Sequence, residues 1–167
     1  MRAWFAAAFL LFSGVSGPAF AEEGLFVARL GGGVTTHPKS PDLGGALNLS
    51  ADLSLSGRLG VIVGGLLLGG DAGTSVGFGI GAKALLAEGF WRRLYLYLTP
   101  ELLLEWASEG RVRADMRLRA GLGYEELLVW GTGLFVEAFG ALPLGLHDGA
   151  AVETPAIGGT AGLFMEF

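Results

Sequence analysis

After Leu25, apolar and polar residues alternate with a period of two along most of the chain, and clusters of Gly, Pro, Asp and Ser interrupt the alternation. Such a pattern indicates β-strands with one apolar and one polar face. The clearest stretch is 47–56, where leucines and an alanine alternate with Asn, Ser and Asp. The stretch 111–125 alternates apolar residues with arginines, acidic residues and glycines in the same way. Helical spacing fits neither stretch.

Alternating segments of this kind number eight in the sequence. They cover about 25–34, 43–56, 59–69, 75–86, 94–107, 111–124, 133–142 and 156–167. Each is near or above the roughly 9–11 residues that a tilted strand needs to cross a bilayer. The sequence therefore predicts an all-β fold, an eight-stranded antiparallel up-and-down transmembrane β-barrel. The facing of 59–69 stays open, because both of its faces are apolar.

The sequence also predicts the register between the fifth and sixth strands. A three-residue hairpin loop at 108–110, with Gly110 in the left-handed conformation, sets the cross-strand pairs. Two of these pairs join opposite charges and two place a tyrosine over a glycine, and both combinations favour strand pairing. The pairs are Glu105–Arg113, Glu101–Arg117, Tyr97–Gly121 and Tyr95–Gly123.

The polar faces carry six positive and seven negative residues, and an eight-stranded barrel has an interior just wide enough for its side chains. The inward set is Arg29, Asp52, Lys83, Glu101, Glu105, Arg111, Arg113, Asp115, Arg117, Arg119, Glu125, Glu137 and Glu166. Its core is a predicted charge network of Glu101, Glu105, Arg113, Asp115, Arg117 and Arg119. Unpaired buried charges are costly, so near-neutrality predicts a plugged, salt-bridged interior.

The start of the chain has a different composition. Met1–Arg2, an apolar stretch and Ala19–Phe20–Ala21 are typical of a cleavable signal peptide. We therefore expect residues 1–21 to be removed and 22–167 to form the barrel.

The remaining 10 basic and 16 acidic residues give a net charge of 10 − 16 = −6, and no basic patch points to nucleic acid. The chain has no cysteine, which excludes a disulfide scaffold.

Aromatic residues lie near the ends of the predicted strands, where side chains meet a membrane–water interface. They are Trp106 at one end of the barrel and Phe90, Trp91, Tyr124, Trp130 and Phe167 at the other.

Pro100 falls in the middle of a predicted strand. Because proline has no N–H to donate, we expect a bulge or a distorted ladder there.

On these features the chain resembles the small eight-stranded outer-membrane β-barrels of Gram-negative bacteria, the group of the OmpA transmembrane domain and OmpX. Gly162, Met165 and Phe167 match the C-terminal assembly signal of that group, and Ala161 departs from it at the first position. The resemblance implies an integral outer-membrane protein in contact with membrane lipid and lipopolysaccharide. It also implies biogenesis through the barrel-assembly machinery and periplasmic chaperones, and we expect the protein to be a monomer.

Residues suited to catalysis are few. His37 and His147 fall in predicted outer loops, where Asp42 and Asp148 could join them around a metal, but loop histidines are commonly just solvated. Glu101, Glu105 and Glu125 have predicted arginine partners, and the His-x-Ser-Asn motif of barrel lipases is absent. We therefore expect no metal, no cofactor and no enzymatic activity. A structural or interaction role in the envelope is the leading prediction, with a narrow transporter or a membrane-embedded lipid-modifying enzyme as the alternative.

Overall fold

The computed structural model describes residues 26–37, 40–56, 58–70, 73–106, 112–129, 131–144 and 155–167. The predicted signal peptide lies outside these residues. The described chain forms eight strands, and all eight predicted segments are confirmed. They are β1 (Phe26–His37), β2 (Ser40–Ser56), β3 (Leu59–Gly70), β4 (Gly73–Glu88), β5 (Arg92–Trp106), β6 (Val112–Val129), β7 (Thr132–Pro143) and β8 (Ala156–Glu166).

Each strand pairs antiparallel with its neighbours in sequence, and β8 pairs with β1, so the sheet closes into a barrel. Following paired residues around the wall from Phe26 leads back to β1 at Thr36, ten positions further along. With ordinary strand spacing this stagger gives a strand tilt of roughly 40° and a backbone radius of about 8 Å. Such a radius leaves room inside for side chains and little else.

The two ends of the barrel differ. One end, called the turn end here, carries both ends of the described chain and the short connections 57–58, 89–91 and 130–131. The other, called the loop end, carries the connections 38–39, 71–72, 107–111 and 144–155. Gly131 closes the last turn with a φ of 72°, a left-handed conformation that glycine adopts without steric cost.

Strands β4, β5 and β6 extend further towards the turn end than the sequence predicted. Residues 87–93 and 125–132 lay between the predicted strands, yet the ladders continue through Glu88↔Arg93, Arg92↔Glu126 and Arg93↔Glu125. Opposite charges on paired positions stabilise strands in such places. The turns themselves therefore shrink to 89–91 and 130–131.

Pro100 interrupts one of its two ladders without causing a bulge. The β4–β5 pairing stops after Gly79↔Glu101 and resumes at Ala82↔Leu98 in the same register, while the β5–β6 pairing is continuous. A Cβ on Gly81 would lie 2.7 Å from the Thr99 Cα, so the two backbones approach closely there. The expected distortion is a local gap in hydrogen bonding.

The outer wall is apolar over most of its height, and the charged residues Arg92 and Glu126 lie near the turn end. In β3 the facing that the sequence left open is now clear, since Ile62 and Leu66 are buried inside and Val63 and Leu67 are exposed outside. Leucines of β5 and β6 form part of the same wall, with Leu96, Leu98, Leu102 and Leu122 all exposed. Among the described residues, no helix is long and apolar enough to cross a membrane.

Candidate functional site: the barrel interior

Two arginines share one buried carboxylate near the loop end. The predicted register of β5 and β6 is confirmed, so Glu101 lies directly opposite Arg117. Arg117 Nε donates to Glu101 Oε2 at 2.7 Å, and Arg119 Nε lies 2.8 Å from Glu101 Oε1. Glu101 and Arg119 are each only 1% exposed. The sequence predicted the first of these contacts but not the second, because Arg119 is paired across the ladder with Thr99.

The remaining members of the predicted network lie closer to the loop end. Glu105 pairs with Arg113 and Asp115 with Leu103 in the β5–β6 ladder, as the register requires. The Arg113 side chain is outside the described residues, so its ion pairs stay a prediction.

A second ion network lies near the turn end and joins four strands. Arg29 donates to both Asp52 and Glu125, and Lys83 Nζ lies 2.8 Å from Asp52 and 3.3 Å from Glu125. The sequence placed all four residues on inward faces. It did not join them, because up to 96 positions separate the partners along the chain.

Arg93 extends this network to the opening of the barrel. It bonds Glu166 and lies 3.5 Å from Glu88 and 3.8 Å from Glu125. Sequence reasoning missed Arg93 because it assigned 87–93 to a connection. The signal that could have found it was the alternation of inward Arg93, Tyr95 and Tyr97 along one strand.

Glu137, between the two networks, is held by neutral donors. Tyr95 Oη donates to it at 2.7 Å, Asn48 Nδ2 at 3.1 Å and Thr160 Oγ1 at 3.3 Å. Within the described residues no cation lies within 4 Å of it. Lys83 Nζ lies 4.1 Å from the centre of the Tyr95 ring, so Tyr95 connects Glu137 to the lower network through a hydroxyl and a cation–π contact.

Apolar side chains fill the space between the charges. One cluster comprises Ala46, Ile62, Leu66, Tyr95, Tyr97 and Phe139, and a smaller one comprises Val27, Phe135 and Phe164. The rings lie over inward glycines, where a Cβ would collide: at Gly121 it would be 2.6 Å from Tyr97, and at Gly31 2.5 Å from Phe135. The sequence predicted the tyrosine–glycine pairs, whereas the contacts of Phe135 with Gly31 and of Phe139 with Gly158 appear only in the structure.

The described interior holds charges of both signs. Its cations are Arg29, Lys83, Arg93, Arg117 and Arg119, and its carboxylates are Asp52, Glu101, Glu105, Asp115, Glu125, Glu137 and Glu166. The described residues contain no group of His, Asp and Glu arranged to hold a metal. The His37 side chain and His147 are outside them, as are the side chains of Asp42 and Asp148.

The last strand closes the barrel with the predicted facing. Phe164 and Glu166 are buried inside, and Leu163 is exposed on the outer wall. Phe167 exchanges two backbone hydrogen bonds with Phe26, at 2.8 and 3.3 Å, and their rings lie 5.8 Å apart. Gly162 fits against β1, where a Cβ would lie 2.8 Å from the Leu30 carbonyl carbon. The assembly role of Gly162, Met165 and Phe167 stays a prediction.

No protein-family model and no curated protein matches this chain. Solved structures do match. They include Neisserial surface protein A, at 12% identity and a TM-score of 0.64 over 86% of this chain and 97% of that one. The N-terminal β-barrel domain of Pseudomonas aeruginosa OprF matches at 11% identity and 0.62 over 87% and 98%. The attachment invasion locus protein Ail of Yersinia pestis matches at 13% and 0.58 over 87% and 99%. The chain therefore has the fold of the small eight-stranded outer-membrane β-barrels.

Proposed function

We propose that this protein is an integral protein of the bacterial outer membrane, with a plugged interior and a structural or interaction role in the envelope. The observation that supports the proposal is the combination of a filled, salt-bridged interior with a largely apolar outer wall. A soluble protein rarely exposes such a large continuous apolar surface. In a bilayer the same surface is solvated by acyl chains.

The filled interior favours a non-conducting barrel. A backbone radius of about 8 Å leaves only side-chain space, and ion networks and aromatic clusters occupy it at both ends and in the middle. An ion crossing the barrel would have to separate buried ion pairs, each held by several contacts. Breaking a buried pair costs about 3–5 kcal/mol, so steady conduction is disfavoured.

The same contacts favour a role other than catalysis. A general acid or base needs access to a substrate and a protonation state free to change. Glu101, Glu125 and Glu166 are instead held by arginines, and Glu137 by three donors. A lipid-modifying enzyme would need its reacting groups on the outer wall or in the loops.

For partners, we propose phospholipid and lipopolysaccharide along the outer wall. During biogenesis we propose the barrel-assembly machinery, which would read the strand containing Gly162, Met165 and Phe167, together with periplasmic chaperones. The mature protein is proposed to be a monomer. Its turn end would face the periplasm and its loop end the outside, where the loops would make any specific contacts.

The first step is to confirm that the expressed protein fractionates with the outer membrane and that it migrates faster in SDS gels when unheated than when boiled. The test is then planar-bilayer recording on the purified, folded protein. We expect membrane fractionation, heat-modifiable migration and no stable current steps, with a large porin as the positive control. Stable open-channel steps would support the transporter alternative. Recovery as a soluble monomer would refute the membrane proposal, and turnover of added lipid A or phospholipid would favour an enzyme.

A further inference from the structure

An exposed ion pair lies on the outer wall beside the turn between β4 and β5. Arg92 and Glu126 are paired across the β5–β6 ladder, and Arg92 Nη2 lies 3.4 Å from Glu126 Oε1. Tyr124 Oη donates to Glu126 Oε2 at 3.2 Å. Both contacts are long, and most of the guanidinium donors and carboxylate lone pairs remain available to a ligand. Because exposed pairs contribute little to stability, these charges are suited to binding.

The pair lies just beyond the apolar part of the wall. Along β5 the outward residues from Leu94 to Leu104 are all apolar. They cover about 25 Å along the barrel axis at a strand tilt of roughly 40°, which equals the height of about 25 Å that the apolar band of an outer-membrane barrel has. Arg92 is the next outward residue. It therefore lies at the level where the acyl chains end and the lipid headgroups begin.

Aromatic side chains mark the same level of the wall. Phe90 and Trp91 directly precede Arg92, and both are exposed, with ring centres 4.7 Å apart in an edge-to-face arrangement. Tyr124 is exposed as well. Tryptophan and tyrosine favour the membrane–water interface because their rings are apolar and carry a polar group. This corner of the barrel therefore offers a headgroup two opposite charges at the interface.

Charge complementarity selects the kind of headgroup. A guanidinium donates several hydrogen bonds to a phosphate in a geometry that the phosphate oxygens match. A primary ammonium has three N–H donors for a carboxylate such as that of Glu126. A quaternary ammonium has no N–H to donate, and an anionic headgroup has no cation for Glu126. A headgroup with both a phosphate and a primary ammonium complements the pair best.

We propose that Arg92 and Glu126 form a binding site for a zwitterionic phospholipid with a primary ammonium. The phosphate binds Arg92, the ammonium binds Glu126, and the acyl chains lie along the leucines of β5 and β6. Tyr124 holds the Glu126 carboxylate in place through its hydrogen bond. The inference rests on the proposed location in a membrane and deepens it, because it names the class of lipid bound at the turn end.

The experiment is native mass spectrometry of the folded protein in detergent, titrated with phosphatidylethanolamine, phosphatidylcholine and phosphatidylglycerol of equal chain length. For the wild type we expect several-fold greater retention of phosphatidylethanolamine than of the other two lipids. Arg92→Gln should lower the retention of phosphatidylethanolamine and phosphatidylglycerol, whereas Glu126→Gln should lower that of phosphatidylethanolamine alone. Arg58→Gln is the matched control and should keep the wild-type preference, because Arg58 is an exposed arginine in a different turn at the same end of the barrel.

Equal retention of the three lipids by the wild type would overturn the site, and this comparison does not depend on any variant folding. An Arg58→Gln effect as large as that of Arg92→Gln would overturn it too, since general charge attraction would then explain the binding. Retention of phosphatidylcholine equal to that of phosphatidylethanolamine would refute the hydrogen-bonded ammonium. Failure of the membrane proposal would look different, because the protein would then be recovered as a soluble monomer that retains none of the three lipids.

Discussion

Replacing Glu101 with Gln should destabilise the barrel more than replacing either of its arginine partners. Glu101→Gln leaves Arg117 and Arg119 without a counter-charge in positions that are 8% and 1% exposed. Removing one member of a buried ion pair costs about 3–5 kcal/mol, and we expect a loss of unfolding free energy in that range. The single oxygen of the amide can still accept one weaker hydrogen bond, which limits the effect.

Arg117→Leu should lower the free energy of unfolding by less than the β5–β6 register alone would suggest. The sequence shows only the Glu101–Arg117 pair, which would leave Glu101 uncompensated. In the structure Arg119 Nε still lies 2.8 Å from Glu101 Oε1, so the carboxylate keeps a cation. The expected cost is about 1.5–3 kcal/mol, the value of one hydrogen bond between charged groups.

Urea unfolding of protein folded into lipid vesicles, followed by tryptophan fluorescence, measures both effects. The control is Glu126→Gln, which breaks the outer-wall pair between Arg92 and Glu126 at 3.4 Å, with side chains 69% and 41% exposed. An exposed pair of this kind contributes about 0–1 kcal/mol. The reasoning is refuted if Glu101→Gln unfolds no more easily than Glu126→Gln, or if Arg117→Leu costs as much as Glu101→Gln.

Three further variants test other parts of the structure. Tyr95→Phe removes the 2.7 Å hydrogen bond to buried Glu137 and should cost about 1–3 kcal/mol in the same unfolding assay; an unchanged midpoint would mean that Glu137 does not depend on it. Leu98→Arg puts a charge at mid-height on the outer wall and should cost about 2–4 kcal/mol in vesicles, whereas a neutral effect there would contradict contact with lipid. Phe167→Ala should lower the yield of heat-modifiable protein in the outer membrane while the purified variant still refolds in detergent. A wild-type yield would remove the proposed assembly role of that residue.

Much of the fold was accessible from the sequence because each strand has one face in an apolar environment. The period-two pattern requires only that the strand be half exposed to an apolar surrounding, and it holds for β2, β5 and β6 without knowledge of neighbours. The β5–β6 register was also predictable, because the hairpin is local and its charge and tyrosine–glycine pairs agree. The ends of the strands were harder to predict, because charged residues such as Arg93 and Glu125 are also typical of loops.

The contacts inside the barrel could not be predicted from local sequence patterns. Arg29, Asp52, Lys83 and Glu125 come from four strands that meet only when the barrel closes with a stagger of ten residues. Nothing in the sequence near Arg29 indicates which carboxylate lies across the interior from it. The apolar residues Ile62 and Leu66 were ambiguous for the same reason, because an inward leucine and a lipid-facing leucine have the same local signal.

The sequence alone determined the number of strands, their antiparallel order, the face that each clear strand turns inward and the balance of charge inside. These properties follow from short-range periodicity and composition, which can be recognised in a single strand or hairpin. The tertiary structure decided which charges meet, that Glu101 contacts two arginines and that, among the described residues, only neutral donors hold Glu137. Those contacts depend on closure and stagger, and both are properties of the whole barrel that no single segment encodes.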